Sequence, residues 1–509
     1  MSIELTKTDI GTAEVLYDNF AEQGIDCDIS LPDYCPDIMR ILRCSVTNSI
    51  TNSKISGDRA TVDGNAKIRI VYADDKNGIY CYEQDYPFSK FSELPQTYDG
   101  AVLCSSAKTE YANCRAVSKK RIDIHGVVSI RFKIVGIKNE SVITDAEGDG
   151  IQLRKKKIGT DSVAAVVMKK FQLSQTEEAD GGEIGKIFYA CASPVLSETK
   201  IIKGKILLKG EAVLKVMYCS ATGENESVCV NYNLPFSEII DIENIDDSCK
   251  VSVGFNVDQV QAEPKTDNDG EYKYLNLGCD ICAVVTAYKT EDICVITDSY
   301  STQKEIDAKY KTETFTQILQ NLNDSIICRE SVDLSSMNPQ RIYSAIAQSP
   351  EAKSRFDADK MTVTGKIPLK FILIDGEGTP TFCEREAEFE YSRSIDAKGG
   401  NLHCDPKLFL TGYSCTLTSD GRAEFKAEMN ISADITETSE CRTLVSLKTV
   451  ENSELKKRHS SLVICFCNGG EKIWDIARKY NTTVEDIMSE NELTSDEIGE
   501  KMMLMIPVK

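Results

Sequence analysis

The chain has 509 residues, of which 80 are Asp or Glu and 59 are Lys or Arg, so its formal net charge is −21. This length is too great for one hydrophobic core and predicts three or four domains of about 100–200 residues each. The acidic balance argues against binding of nucleic acid and of an anionic membrane surface, and it suits solubility or a basic partner.

The N-terminal sequence and the cysteine content together predict a cytosolic protein. The first residues, MSIELTKTDIGTAEVLYDNF, contain no apolar signal-peptide core. No run approaches the roughly 18 apolar residues of a membrane span. The 20 cysteines would then be mostly reduced and would act as small hydrophobic residues. The alternative is that they are cross-linked later by oxidation in a durable assembly.

Apolar and polar residues alternate in three similar stretches of the first 450 residues, which predicts β-strands. The stretches are residues 62–72, 208–218 and 363–373, and a polar turn and a second strand follow each of them. The repeat predicts a mainly β fold with short helices, in which three antiparallel β-rich domains follow one another as sandwiches or open barrels.

A glycine stands at the same point of each copy. When the copies are aligned on it, every inward-facing position of the strand is apolar. Glycine inside a strand predicts a bulge or a close approach of another backbone segment. The aligned glycines are Gly64, Gly210 and Gly365, and the strands that follow lead to Phe88, Phe236 and Phe389.

A short entry helix is predicted before the glycine-centred strand in the first and third copies. Pro36–Leu42 and Asn338–Ile346 each have Pro in the first turn and apolar residues at helical spacing. In the second copy, Ser193–Leu196 begins in the same way but then loses the spacing. We predict β-rich domains at residues 1–155, 156–305 and 306–450, and a basic linker at 451–461.

The last segment, residues 462–509, has a different pattern. Two short apolar strands, Leu462–Phe466 and Met503–Ile506, flank two helical stretches. The first helix carries apolar residues at helical spacing from Ile473 to Tyr480, and the second opens with the capping-box pattern Thr483–Asp486. The segment is therefore predicted to be a small β-α-α-β domain.

This segment resembles a LysM domain. The resemblance rests on Gly470, the Ile473–Ala477 run, Tyr480, Asn491-x-Leu493 and the closing Ile506-Pro507. It implies a shallow groove for N-acetylglucosamine glycans, between the loop before the first helix and the loop after the second. Lys472 stands where such domains usually have Thr. This departure favours binding of a protein over binding of a glycan.

The repeats resemble the SPOCS domain of clostridial spore-coat proteins. The resemblance rests on Pro-Asp-Ile-x-x-Ile-Leu at 36–42 and on the glycine-centred strand that follows it. SPOCS repeats followed by LysM are similar in arrangement to clostridial coat-morphogenesis adaptors. The resemblance implies a sporulation protein of the mother-cell cytoplasm at the forespore surface, and later of the mature spore coat. It further implies that the LysM domain binds the morphogenetic ATPase of the coat basement, with other coat proteins as additional partners.

Four residues of the LysM segment are candidates for partner binding: Trp474, Ile464, Ile473 and Lys472. Trp474 is the only tryptophan of the chain. It is either a core residue or a partly exposed anchor, because tryptophan is enriched in binding hot spots. The alternative function is a spore-wall protein that binds peptidoglycan through this domain.

No motif of the chain predicts catalysis, a metal or a cofactor. The three histidines lie in different segments, and His125 is expected on the polar face of a strand. A nucleophile with an oriented base is not apparent. Cys279 and Cys282 have ligand-like spacing, but no second pair completes four ligands. There is no Gly-rich phosphate loop.

Overall fold

The computed structural model describes residues 3–180, 182–220, 227–243, 245–357, 360–395, 401–454 and 461–508. These ranges form three successive antiparallel β units and a small β-α-α-β unit. The fold is therefore mainly β with short helices, as the alternation predicted. No helix in the described ranges is both long enough and apolar enough to cross a membrane.

The first unit is a sandwich of two three-stranded sheets. One sheet has the order β2-β3-β4 and the other the order β1-β6-β5. Their facing sides enclose a core that includes Ile68, Ile124 and Phe132. The strands are β1 (Glu4–Ser30), β2 (Arg40–Ser56), β3 (Arg59–Ala73), β4 (Ile79–Glu93), β5 (Val102–Ala116) and β6 (Arg121–Glu147).

The second unit repeats this topology. Its sheets have the orders β10-β9-β8 and β11-β12-β7, so the first strand of the unit again pairs with the last. Its strands are β7 (Ile151–Glu178), β8 (Ile184–Ile202), β9 (Lys205–Ser220), β10 (Ser227–Asp241), β11 (Lys250–Lys265) and β12 (Tyr274–Ser301).

The third unit has the same plan with two broken strands. β14 and β15 both pair with β16, where the other units have one strand, and β18 and β19 both pair with β20. A 3-10 turn, Ser335–Met337, precedes β14. The strands are β13 (Lys304–Asp333), β14 (Pro339–Ala347), β15 (Glu351–Asp357), β16 (Lys360–Asp375), β17 (Pro380–Ser394), β18 (Asn401–Cys404), β19 (Lys407–Leu417) and β20 (Arg422–Glu454).

The predicted entry helices are wrong. Pro36–Leu42 leads into β2 without forming a helix, and the segment that follows Asn338 is strand β14. The pairing register shifts between Ile41 and Arg43 in β2, and between Ile342 and Ser344 in β14. A bulge interrupts the two-residue alternation of a strand. Apolar residues on the two sides of the bulge therefore fall at the spacing that is typical of a helix.

The predicted close approach at the three glycines is confirmed. In the pairing register each glycine lies opposite a phenylalanine of the next strand: Gly64 opposite Phe88, and likewise in the other units. A Cβ atom on Gly365 would lie 2.2 Å from the Glu351 carbonyl oxygen and 2.6 Å from Cζ of Phe389. The phenyl ring occupies the space that a side chain would need.

The units pack against one another through the outer faces of their central strands and through their long first and last strands. Val71, Met217 and Ile372 occupy equivalent positions of β3, β9 and β16 and meet in one buried cluster. The long strands extend beyond the sandwiches as three two-stranded ribbons. Their shared core consists of Ile10, Val142, Ile158, Ile293, Val295, Phe315 and Cys441.

The C-terminal unit comprises β21 (Leu462–Cys467), α1 (Ile473–Tyr480), α2 (Val484–Glu490) and β22 (Met502–Pro507). The two strands are antiparallel. The Thr483 hydroxyl accepts a hydrogen bond from the Asp486 backbone N–H at 2.9 Å, which confirms the predicted cap of the second helix. Residues 455–460 of the predicted basic linker lie outside the described residues.

Candidate functional site

The C-terminal unit exposes an apolar surface on one side of its sheet. Side chains alternate along β21 and β22, so Leu462, Ile464 and Phe466 point to the same side, opposite Met505 and Met503 of the paired strand. Phe466 is 73% exposed and Ile464 is 56% exposed. Contiguous exposed apolar groups of this kind mark interaction sites. We call Leu462, Ile464, Phe466, Met503 and Met505 the outer sheet face.

The helical side of the same unit lies against the end of β12 in the second unit. The Trp474 indole N–H donates to a carboxylate oxygen of Asp298 at 2.9 Å, and Arg478 contacts the same carboxylate at 2.8 Å. The Tyr300 ring packs edge-on against the indole with centroids 4.9 Å apart, and its hydroxyl donates to the Thr482 carbonyl at 2.8 Å. We call these five residues the docking contact.

The docking contact is largely closed to water. Trp474 is 8% exposed, and the Asp298 side chain is 14% exposed. Burial raises the pKa of the Tyr300 hydroxyl above its usual range, so this group stays a hydrogen-bond donor at neutral pH. The docking contact thus holds the C-terminal unit with its outer sheet face on the side away from the second unit.

The four predicted partner-binding residues lie in different surroundings. Ile464 is on the outer sheet face, and Lys472 is exposed at the start of α1. Ile473 is fully buried in the core of the unit. Trp474 belongs to that core and also to the docking contact. That these residues contact a partner stays a prediction.

Sequence reasoning missed Phe466, Met503 and Met505 as exposed apolar residues. The sequence did contain a signal, because β21 is apolar at consecutive positions. Such a strand is expected to have both of its faces covered, one by the core of the unit and the other by another surface. It also missed Asp298 and Tyr300. These residues lie far from Trp474 in the chain, and no local pattern connects them.

The two loops that border the groove implied by the LysM resemblance are hydrogen bonded to each other. The Gly470 N–H donates to the Ile498 carbonyl at 2.7 Å, and the Ile498 N–H donates to the Glu471 carbonyl at 2.9 Å. The Ile473 N–H donates to the Asp496 carbonyl at 2.8 Å. These backbone groups are therefore already paired without a ligand.

His125 lies on an exposed strand face, as predicted. Its ring nitrogens contact Asp26 at 2.7 Å and Asp123 at 3.1 Å. These hydrogen bonds, the one to Asp26 first, raise the pKa of the imidazole. Within the described ranges, His, Cys, Asp and Glu side chains do not gather in a group of three or more that could hold a metal ion.

Comparisons with known proteins agree with these observations. A family model described as SipL, SPOCS domain, matches residues 37–117 and 183–265, and a LysM domain model matches residues 470–507. No curated protein and no solved structure gave a match. Both matched families are binding or adaptor domains, and the first associates the chain with sporulation. The chain therefore contains two segments that match the SPOCS domain of SipL, followed by a C-terminal LysM domain, which is the arrangement that the sequence predicted.

Proposed function

We propose that the chain is a non-enzymatic adaptor in spore coat assembly. Its LysM domain docks on the morphogenetic ATPase of the coat basement and helps to localise coat proteins around the forespore. The adaptor acts in the mother-cell cytoplasm at the forespore surface and remains in the mature coat. The family matches support the sporulation role, and the proposed partner follows from the adaptor resemblance.

The outer sheet face is the observation that carries this proposal. Its five large apolar side chains are exposed on a unit whose opposite side is already covered by the second unit. Burying such a surface against a partner would supply about 25 cal/mol for each Å² of apolar area removed from water. An apolar surface of this kind fits a protein partner better than a polar sugar.

We propose further that the third unit is a divergent SPOCS domain, although the family model matches only the first two segments. It shares their strand order, its Gly365 lies opposite Phe389, and its β14 carries the same bulge. All three units would then offer β surfaces to other coat proteins.

Capture of the coat-basement ATPase by purified variants tests the docking proposal. Ile464→Glu and Phe466→Glu should abolish capture without changing the thermal midpoint, because both side chains project into solvent. Ile327→Glu is the matched control, since Ile327 is a 59% exposed residue of the third unit. Normal capture by folded variants of the outer sheet face would rule the proposal out.

Trp474→Glu should also abolish capture, by a different route. A charged side chain there would lose the indole hydrogen bond and lie beside the Asp298 carboxylate. This variant is expected to detach the LysM domain from the second unit. The thermal midpoint and far-ultraviolet circular dichroism of Trp474→Glu must therefore be compared with those of Ile464→Glu before a direct contact is assigned to Trp474.

The second candidate function is peptidoglycan binding, which the LysM match favours. Retention of the full chain on insoluble peptidoglycan separates the two functions. The adaptor proposal expects no retention above that of an unrelated acidic protein. Retention that free N-acetylglucosamine oligomers reverse would favour the glycan function.

A further inference from the structure

Two edge strands of the first unit, one from each sheet, are held side by side. The Asn48 side-chain amide on β2 donates to the Thr109 hydroxyl on β5 at 2.9 Å. That hydroxyl in turn donates to the Val46 carbonyl at 3.1 Å. These contacts close one side of the sandwich. Farther along the same two strands lie Cys44 and Cys114.

Cys44 and Cys114 both pack against the core of the first unit, and both side chains are partly exposed. The interaction between the two thiols lowers the pKa of Cys44 and raises that of Cys114. Cys44 is therefore the group that ionises first, and thiolate is the reactive form of cysteine. A third thiol, Cys27, lies across the central strand from Cys114, with Ile124 between them.

The equivalent positions in the other units show that this thiol pair is peculiar to the first unit. The bulges of the edge strands fix the correspondence, because they recur at the same points of each unit. The second unit has two alanines and the third has one alanine and one cysteine. The equivalent pairs are Cys44 and Cys114, Ala190 and Ala262, and Ala345 and Cys415.

We propose that Cys44 and Cys114 are an oxidation site at which a peroxide forms a disulfide that ties the two sheets of the first unit together. The Cys44 thiolate attacks one oxygen of hydrogen peroxide, the O–O bond breaks, and sulfenic acid forms with release of one water. The Cys114 sulfur then displaces the second water and gives the S–S bond. Two thiols lose two electrons and two protons, and the peroxide is reduced to two waters.

Neither residue belongs to the outer sheet face or to the docking contact, so this inference is independent of the adaptor role. The cross-link would join the two sheets on the side of the sandwich where hydrogen bonds of Asn48 and Thr109 already connect β2 to β5. A disulfide restricts the unfolded chain and so resists opening of the unit. The first unit would gain a covalent constraint that the second, with alanines at both positions, does not have.

Peptide mapping of the reduced full-length chain after treatment with hydrogen peroxide tests the proposal. Remaining thiols are alkylated, and the protein is digested without reduction. The expected result is a peptide that joins Cys44 to Cys114 and disappears after reduction, while Cys415 is recovered alkylated. In Cys114→Ala, which places at this position the residue that the second unit has at Ala262, Cys44 should accumulate as sulfenic acid that dimedone labels.

Two results would overturn the proposal. One is recovery of Cys44 and Cys114 as separate alkylated peptides at peroxide doses that oxidise other cysteines. The other is a predominant link from either residue to a third cysteine, such as Cys27. Far-ultraviolet circular dichroism of Cys114→Ala and of the untreated chain ensures that the comparison is between folded proteins.

Discussion

Lys472 illustrates how one side chain can weaken a helix without disturbing the fold. It is the N-cap of α1, yet its side chain makes no hydrogen bond to the first turn. The other helix has Thr483 at this position, and its hydroxyl accepts from the Asp486 N–H. Hydroxyl side chains at an N-cap satisfy one of the free backbone donors of a helix.

We therefore expect Lys472→Thr to stabilise the LysM domain by about 1 kcal/mol. The thermal midpoint of the domain, followed through the emission of Trp474, measures the effect. Lys472→Ala is the control, since it removes the ammonium without supplying an acceptor and should give no gain. Equal midpoints for the Thr and Ala variants would contradict the capping argument.

Lys215 is a buried cation without a carboxylate partner in the described ranges. Its equivalents in the other units are paired: Arg69 contacts Glu83 at 2.6 Å, and Lys370 contacts Glu384 at 3.3 Å. Lys215 is 4% exposed, and its ammonium lies 3.6 Å from the centre of the Tyr413 ring. Burial lowers the pKa of this ammonium group.

We expect Lys215→Met to raise the free energy of unfolding at pH 7 by on the order of 1 kcal/mol, because a buried charge is replaced by an apolar side chain. The folded-state pKa lies below the unfolded value, so the unfolded chain binds more protons between these two values. The parent protein therefore gains stability as the pH rises through that interval, and the advantage of Met shrinks. Urea denaturation at pH 7 and at higher pH measures both effects.

Lys370→Met is the matched control for this prediction. It removes the ammonium that pairs with Glu384 and should not stabilise the protein. A loss of stability in Lys215→Met as large as that in Lys370→Met would show that the cation–π contact outweighs the cost of burial.

At the level of the residue, the sequence identified Trp474 but left its role open. Its apolar neighbours Ile473, Ile476 and Ala477 predicted that one side of α1 is buried, and that is what the structure contains. The polar edge of the indole was not predictable, because its acceptor, Asp298, comes from another unit. The periodicity of apolar residues along a helix indicates which side is buried. It does not identify hydrogen-bond partners that are distant in the chain.

The glycine–phenylalanine pair is the element-level feature that the repeat predicted best. We expect Gly365→Ala to destabilise the third unit by about 1–3 kcal/mol, because the new methyl group would overlap the Glu351 carbonyl and the Phe389 ring. Gly376→Ala, where the nearest atoms are 3.8 Å away, should change stability by less than about 0.5 kcal/mol. Urea midpoints of the two variants provide the comparison, and equal values would argue against the packing role of the pair.

The strands were predictable from the alternation of apolar and polar residues. The prediction of the entry helices was wrong because of bulges in those same strands. Bulges beside Ile41 and Ile342 shift the alternation of apolar and polar residues. The spacing of apolar residues alone therefore cannot distinguish a bulged strand from one turn of helix. The third unit adds broken strands. The repeat in the sequence does not predict these breaks.

For the molecule as a whole, the docking contact fixes the LysM domain on the second unit. We expect Asp298→Ala to loosen it by on the order of 2 kcal/mol, since hydrogen bonds to Trp474 and Arg478 are lost together. The emission of the only tryptophan should shift to longer wavelength and become easier to quench with acrylamide.

Asp292→Ala is the control for this experiment. Asp292 lies on the same strand but pairs with Lys157 at 2.8 Å rather than with the LysM domain. The tryptophan emission of Asp292→Ala should equal that of the parent chain. Unchanged emission in Asp298→Ala would mean that the docking contact does not hold the LysM domain in solution.

The cluster formed by Val71, Met217 and Ile372 has a consequence for synthesis of the chain. Each sandwich pairs its own first and last strands, so each can close as its last strand leaves the ribosome. The cluster that covers the outer faces of the first two units, however, is complete only when β14 and β16 have emerged. A nascent chain that stalls between the second and third units would expose these apolar faces and is expected to need chaperone protection. Folding of the third unit is thus the step that buries the apolar outer faces of the first two.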